Sequence, residues 1–262
     1  VEKFLNQTLD SFVCDEAVMK KFAVIVVDDG SKDNTAKIGK EYADKYPDTF
    51  RVISKENGGH GSTINCGIRN AVGKYFKVVD GDDWVNTADF VKLVEDLEKT
   101  ESEYVFTNYY EYYDDVNRQK AVDFPQFKDG TEYDFADVAN KVYIPMHALV
   151  IKTSVLKDNN IVIDEKCFYV DVEYVMFPVP FVNKVTFFDL HVYMYRLALS
   201  TQSVSILGFQ KHINDHLRVT FHMFDFYRDY ISSDKADSAK ADYMRTCIAD
   251  LIITQRDRKS TR

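Results

Sequence analysis

The chain has 262 residues, enough to bury a sizeable core in one large domain or in one domain with an appendage. Lys and Arg number 33 against 42 Asp and Glu, a formal charge of -9, which argues against a general grip on nucleic acid and leaves any anionic ligand to local cations. Cys14, Cys66, Cys167 and Cys247 are widely spaced with no Cys-x-x-Cys, so neither a zinc cluster nor a disulfide scaffold is indicated and free cytoplasmic thiols are expected.

Val1, Phe4, Leu5, Leu9, Phe12 and Val13 share one helical face, so the chain is expected to open inside a helix rather than with a leader. A strand over 22–27, a helix over 34–46, a strand over 50–54, a helix over 61–71 and a strand over 75–79 follow. Such a βαβαβ run makes parallel pairs and predicts a doubly wound α/β sheet. A helix over 87–99 leads into a strand over 103–109. Residues 109–143 are aromatic and acidic with weak periodicity, which fits antiparallel strands and loops, either a half-buried β surface or an aromatic wall for sugar rings. A strand over 147–152, a short helix over 153–159 and a pair of strands or one bent strand over 184–197 make the sheet mixed. Two helices, 207–231 and 236–255, come last, with a frayed end over 255–262. The most apolar run, 174–182, is broken by Pro178 and Pro180 and is too short to span a bilayer.

Two of these strands end in acids. Residues 75–79 run into Asp80-Gly81-Asp82-Asp83, where Gly81 permits a sharp turn and hard oxygen ligands suit Mg²⁺ or Mn²⁺, leaving coordination positions for a diphosphate. Residues 22–27 run into Asp28-Asp29-Gly30-Ser31, followed by Asp33-Asn34-Thr35, a helix cap. In an open α/β sheet the ligand crevice lies outside the carboxyl ends of the strands, so both turns are expected to face one ligand. Each is also an ordinary solvated Asp-Gly turn when taken alone.

Four segments together resemble the family 2 glycosyltransferases with the GT-A nucleotide-sugar fold: 27–33, Glu56-Asn57-Gly58-Gly59 with Asn65-Cys66-Gly67, 79–83, and Tyr193-Met194-Tyr195-Arg196 with Ser200. The resemblance covers most of residues 1–203 and implies a transferase domain over 1–205, a mixed sheet flanked by helices, and a helical C-terminal extension over 206–262. It further implies a UDP-sugar donor, an inverting transfer to a hydroxyl of a glycan or lipid-linked sugar, and a role in glycan or surface-polysaccharide synthesis in the cytoplasm or at the inner face of the membrane. Asp28 or Asp29 would accept the imide N–H of uracil. Asn57, Gly58 and Gly59 would let the backbone approach the nucleotide with amides pointing outward. Asp80, Gly81, Asp82 and Asp83 would hold Mn²⁺ or Mg²⁺ against the diphosphate, Arg196 would contact phosphate beside a lid at Ser200, Gln202 and Ser203, and Asp171 would be the general base.

Three departures qualify the likeness. Thr63-Ile64 stands where the family pattern usually has Ala-Arg, Val170 replaces the Glu that precedes the base so that any tuning partner must be Glu173, and the opening strand ending in Pro-x-Tyr-Asn is absent, which leaves either a truncated chain or a sheet without a central strand. They motivate the alternative of a non-catalytic nucleotide- or sugar-binding protein on the same fold. A haloacid-dehalogenase phosphatase and an EF-hand both fail on Trp84. His212 and His216 read as a solvated helix face, while Phe209, Ile213, Leu217, Phe221 and Phe224 form an apolar face suited to the core, to a homodimer or to peripheral membrane contact.

Overall fold

Hydrophobic periodicity sets the opening of the computed structural model, which describes residues 1–197 and 206–257. Helix α1 (Glu2–Asp10) buries Leu5 and Leu9, and α2 (Glu16–Met19) buries Met19. Strands β1 (Val24–Asp28) and β2 (Phe50–Ser54) pair in parallel, joined by α3 (Thr35–Lys45). Asn34 is the N-cap of α3 without a side-chain cap bond, and Asp33 just before it accepts the Thr35 N–H on its Oδ1 at 3.1 Å. Helix α4 (His60–Asn70), β3 (Tyr75–Phe76), β4 (Trp84–Val85) and α5 (Thr87–Leu97) complete the first half.

Next come β5 (Tyr104–Tyr113), β6 (Arg118–Val122), β7 (Thr131–Asp134), α6 (Phe135–Ala139), β8 (Leu149–Lys152), α7 (Thr153–Asp158) and α8 (Asp171–Met176). The 184–197 segment is one long strand, β9 (Lys184–Leu197), parallel to β5 with a register shift around Asn108 that bends it. Helices α9 (Ile206–Lys211), α10 (Ile213–Ile231) and α11 (Ser238–Asp257) end the described chain.

The sheet is mixed, as expected, but it is divided. Seven strands run β3-β8-β5-β9-β4 with β6 on β5 and β7 on β9, while β1 and β2 form a separate pair. Only Tyr75 and Phe76 of the expected 75–79 strand are paired, antiparallel to β8. Among the described residues no strand stands between β1 and the 75–79 segment, so the continuous parallel run read from the βαβαβ pattern does not form. Both segments line one cleft, which still brings the two acidic turns together.

Alternation along the strands sends successive side chains to opposite faces. Val105 and Val150 meet Leu5, Leu9, Phe50, Leu93 and Val94 on one face, and Tyr104, Phe106, Leu149 and Ile151 meet Tyr174, Met223, Tyr243 and Met244 on the other. Each such fully buried side chain contributes about 1.5–3 kcal/mol. Helices α10 and α11 therefore share a core with the sheet, and Tyr243 Oη accepts the Ile144 N–H at 3.1 Å.

Two expectations for α10 are corrected. His216 is buried, not solvated, with Nε2 3.1 Å from the Leu251 carbonyl, because α10 turns His216, Val219, Thr220 and Met223 inward. The stripe of Ile213, Leu217, Phe221 and Phe224 lies on the opposite, exposed side and is not core. None of the helices among the described residues is long and apolar enough to cross a membrane.

Candidate active site

The turn after residues 77–79 is built from inside. Lys77 Nζ donates to the His147 and Leu149 carbonyls at 2.7 and 3.2 Å, and burial lowers its pKa to about 7. Tyr193 on β9 donates its hydroxyl to Asp83 Oδ2 at 2.6 Å and accepts the Asp80 N–H at 3.2 Å. Asp83 Oδ1 accepts the Arg196 N–H at 2.7 Å, and Thr8 Oγ1 donates to the Asp83 and Gly81 carbonyls at 2.5 and 3.1 Å. Asp83 is thus a buried brace at the back of the cleft wall that Asp80 and Asp82 share.

Arg196 stands behind this turn. Its Nε donates to the Asp82 carbonyl at 2.8 Å, its Nη2 to Gln7 Oε1 at 2.5 Å, and its Nη1 pairs with Asp114. Phe4 and Trp84 cover the guanidinium with ring centroids 4.5 and 4.6 Å away. In this arrangement it fixes the Asp82 carbonyl rather than projecting into the cleft as a phosphate clamp. Ser200, Gln202 and Ser203, the expected lid, lie outside the described residues.

Burial, followed by repulsion between carboxylates, sets the site's electrostatics. Burial and the Asp80 charge push the Asp82 carboxyl up and the Asp83 carboxyl well up. Burial works against charge at Asp80 as well, but His60 outweighs it and holds that carboxyl down. The His60 Nε2 lies 3.1 Å from Asp80 Oδ1, and although burial opposes its charge, Asp80 raises its pKa to about 9. That nitrogen is buried without an aligned hydrogen-bond acceptor, so the contact is an ion pair. His147, whose pKa burial lowers to about 4, brings a ring nitrogen within 4.8 Å of carboxylate oxygens of Asp80 and Asp83. Mutually repelling carboxylates and the neutral His147 imidazole are a donor set that a divalent cation fits.

The glycine-rich loop is held differently from expectation. Asp29 Oδ1 accepts the Gly58 N–H at 2.9 Å and Lys55 Nζ at 2.6 Å, and its Oδ2 accepts the Gly59 N–H at 2.7 Å. These two amides are therefore turned to Asp29 and not outward to a ligand. Gly59, with φ +81°, packs against the Lys166 backbone, and the Lys166 N–H donates to the Gly58 carbonyl at 2.6 Å. Asn57 Nδ2 donates to the Asp29 carbonyl at 2.9 Å. Asp28 is buried, its Oδ1 accepting the N–H of Ser31 three residues on at 3.1 Å.

Across the cleft, Asp171 opens α8 and shares the wall with Tyr109, Tyr143, Tyr195 and Asp250. Burial raises its carboxyl, His60 draws it back down and Asp80 adds to the rise. Glu173 does not tune it directly, because its oxygens turn to Asp164 and His222. Sequence reasoning missed His60, His147, Lys77 and Asp250. Only His60, inside Gly58-Gly59-His60-Gly61, carried a local signal; the others enter through contacts between distant segments.

Comparison with known proteins gives the family and the fold. The family model "Glycosyl transferase family 2" matches residues 1–159. An uncharacterized glycosyltransferase, EpsJ of Bacillus subtilis (strain 168), is 36% identical over 110 residues, covering 42% of this chain and 31% of EpsJ. The chain spans about a third of that relative's length. The crystal structure of S. aureus TarS 1-349 in complex with UDP-GlcNAc superposes with TM-score 0.71 at 18% identity, covering 98% of this chain and 70% of that one. The mannosyltransferase PcManGT from Pyrobaculum calidifontis, in complex with GDP-Man and Mn²⁺, gives TM-score 0.58 at 16% identity, covering 98% and 70%. The fold is that of the GT-A nucleotide-sugar transferases, and the chain belongs to glycosyl transferase family 2.

Proposed function

We infer that the protein transfers a sugar from a UDP-sugar to an acceptor hydroxyl with inversion, using a divalent metal, in bacterial glycan or surface-polysaccharide synthesis. One observation carries the reading. Asp80 and Asp82, His60 and Asp171 line a single cleft of about 1560 Å³, with an acidic metal-type set on one side and a half-buried carboxylate base on the other. TarS bound to UDP-GlcNAc and PcManGT bound to GDP-Man and Mn²⁺ support the donor class and the metal.

Asp80 and Asp82, with Asp83 and His147 behind them, would hold Mn²⁺ or Mg²⁺, which supplies positive charge where the leaving diphosphate becomes more negative. Asp171 takes the proton of the acceptor hydroxyl, which attacks the anomeric carbon in line as the C–O bond to the nucleoside diphosphate breaks; a single displacement inverts the centre. Burial suits Asp171 to this by making its carboxylate a stronger base. Asp28 and Asp29 at the end of β1 and Asn57 to Gly59 would form the nucleotide side, Gly58 and Gly59 by letting the backbone come close rather than through their amides, which Asp29 takes. Tyr109, Tyr143 and Tyr195 offer aromatic faces to the acceptor. The open stripe on α10 suits a homodimer or a membrane surface at the cytoplasmic face.

Calorimetric titration of UDP with and without Mn²⁺, on the wild type and on Asp82→Ala, tests the reading. Metal-dependent binding that the substitution abolishes is expected. A folded wild type that binds no UDP in the presence of Mn²⁺ would refute it, and metal-dependent UDP binding with no release of UDP from any UDP-sugar would favour the non-catalytic binder.

A further inference from the structure

A fully buried carboxylate is costly unless paired and hydrogen-bonded. Glu173, two residues beyond Asp171, is fully buried and does not line the cleft. We propose that Glu173 and His222 are positioning residues for Asp171, and that the segment 163–166 they grip ties the acceptor base to the glycine-rich donor loop. The role of Asp171 in this rests on the transferase reading above.

Glu173 Oε2 accepts the Asp164 N–H at 2.8 Å, and its Oε1 lies 3.0 Å from His222 Nδ1. The same His222 nitrogen lies 3.3 Å from Asp164 Oδ1, and Arg218 Nε lies 3.2 Å from Asp164 Oδ2. Three separate parts of the chain meet here: α8, the 163–166 segment and α10. The opposite side of that segment is bolted to the donor half. Asn65 Nδ2 donates to the Ile163 carbonyl at 2.8 Å and to Glu165 Oε1 at 3.1 Å, Asn65 Oδ1 accepts the Ile163 N–H at 2.9 Å, and Lys166 bonds Gly58.

Helix α8 has only six residues and cannot fix its own direction, since isolated short helices are unstable. Its orientation must come from anchors outside it, and Glu173 supplies one of them. Asp171 is carried by the same first turn, so a shift at Glu173 moves the base directly and reaches the nucleotide side only through the 163–166 segment. The strap also makes α10 part of the catalytic unit rather than an appendage.

The test uses Glu173→Gln and His222→Ala in the intact chain, well below their melting temperatures. Release of UDP from a UDP-sugar is expected to slow about tenfold, as small misplacements of a reacting group do, while the Kd for UDP with Mn²⁺ stays within about twofold of wild type. The His222 side chain is 42% exposed, so imidazole added to His222→Ala should recover part of the rate. Backbone amides of 172–176 and 59–65 should exchange with deuterium faster together in both variants. Unchanged turnover in both variants, a fall in UDP affinity parallel to the fall in turnover, or faster exchange confined to α10 would each overturn the proposal. If Glu173→Gln does not fold, His222→Ala decides alone. A wild type that binds no UDP overturns the transferase reading instead, and the exchange experiment still decides whether the strap exists.

Discussion

Replacing Gly61 with alanine probes the seam between the donor loop and the 163–166 segment. A Cβ at this position would stand 1.9 Å from the Asp164 carbonyl oxygen, where ordinary contact begins near 3.4 Å, so the two backbones must separate by about 1.5 Å. The Asn65 bonds to Ile163, at 2.8 and 2.9 Å, cannot survive that displacement. Their loss costs about 1 kcal/mol each. Strain adds about 1–3 kcal/mol, and the better helix propensity of alanine returns at most about 1 kcal/mol. A net loss of about 2–4 kcal/mol lowers the melting temperature of a chain this size by roughly 4–16 °C. UDP affinity should fall as well, because Gly58 and Gly59 move with the seam. Gly67→Ala is the control in the same helix: its Cβ would meet only the Phe76 ring at 3.1 and 3.3 Å, which a side chain can relieve, so a change under about 1 kcal/mol is expected. Differential scanning calorimetry of both variants settles the matter. A Gly61→Ala protein that melts at or above the wild-type temperature would refute the reasoning.

Asp171→Asn should lower turnover by about 10²–10⁴-fold with the Kd for UDP unchanged, and parallel loss of both would assign Asp171 to donor binding. Because burial raises the Asp171 carboxyl, wild-type turnover should climb as pH rises through that raised value, a climb that a pH–rate profile of Asp171→Asn would lack. Glu173 is lifted by burial from 4.5 to about 7, so the stability it contributes is complete below 4.5 and is lost as pH rises through 7; in urea titrations Glu173→Gln should flatten the fall in stability between those values, and an unchanged slope would contradict it. Tyr193→Phe strips Asp83 Oδ2 of its 2.6 Å donor and should cost about 1–3 kcal/mol while weakening Mn²⁺-dependent UDP binding, which parallel melting and calorimetry would show or deny. Mn²⁺ should raise the melting temperature of the wild type by relieving carboxylate repulsion, and Asp80→Asn should abolish most of that rise.

What the sequence made legible was local. The periods of Leu5 and Leu9, of 24–28 and of 50–54 need only neighbours along the chain, and the two Asp-Gly turns announce themselves because glycine and carboxylates are adjacent in the chain. The sheet's division was not legible, since strand pairing is decided between segments and not within them. The orientation of α10 was misread for a related reason. Two faces of that helix are apolar enough to be core, and the one carrying His216, Val219 and Met223 meets the sheet and α11, where the Leu251 carbonyl also satisfies His216 Nε2 at 3.1 Å.

The site follows the same division. Its acids could be named from the sequence, but the behaviour of each depends on a partner far along the chain: Asp83 on Tyr193, Glu173 on His222, Asn65 on Ile163. This explains why adjacent carboxylates in one turn take different parts. Asp82 keeps its side chain in the cleft wall because Arg196 takes its carbonyl, and Asp83 becomes a brace because β9 passes behind it. An acidic triplet written into a sequence is therefore a set of candidates. The strand running behind it decides how each is held: β9 engages both oxygens of Asp83, while Asp80 pairs with His60 and Asp82 stands in the cleft wall.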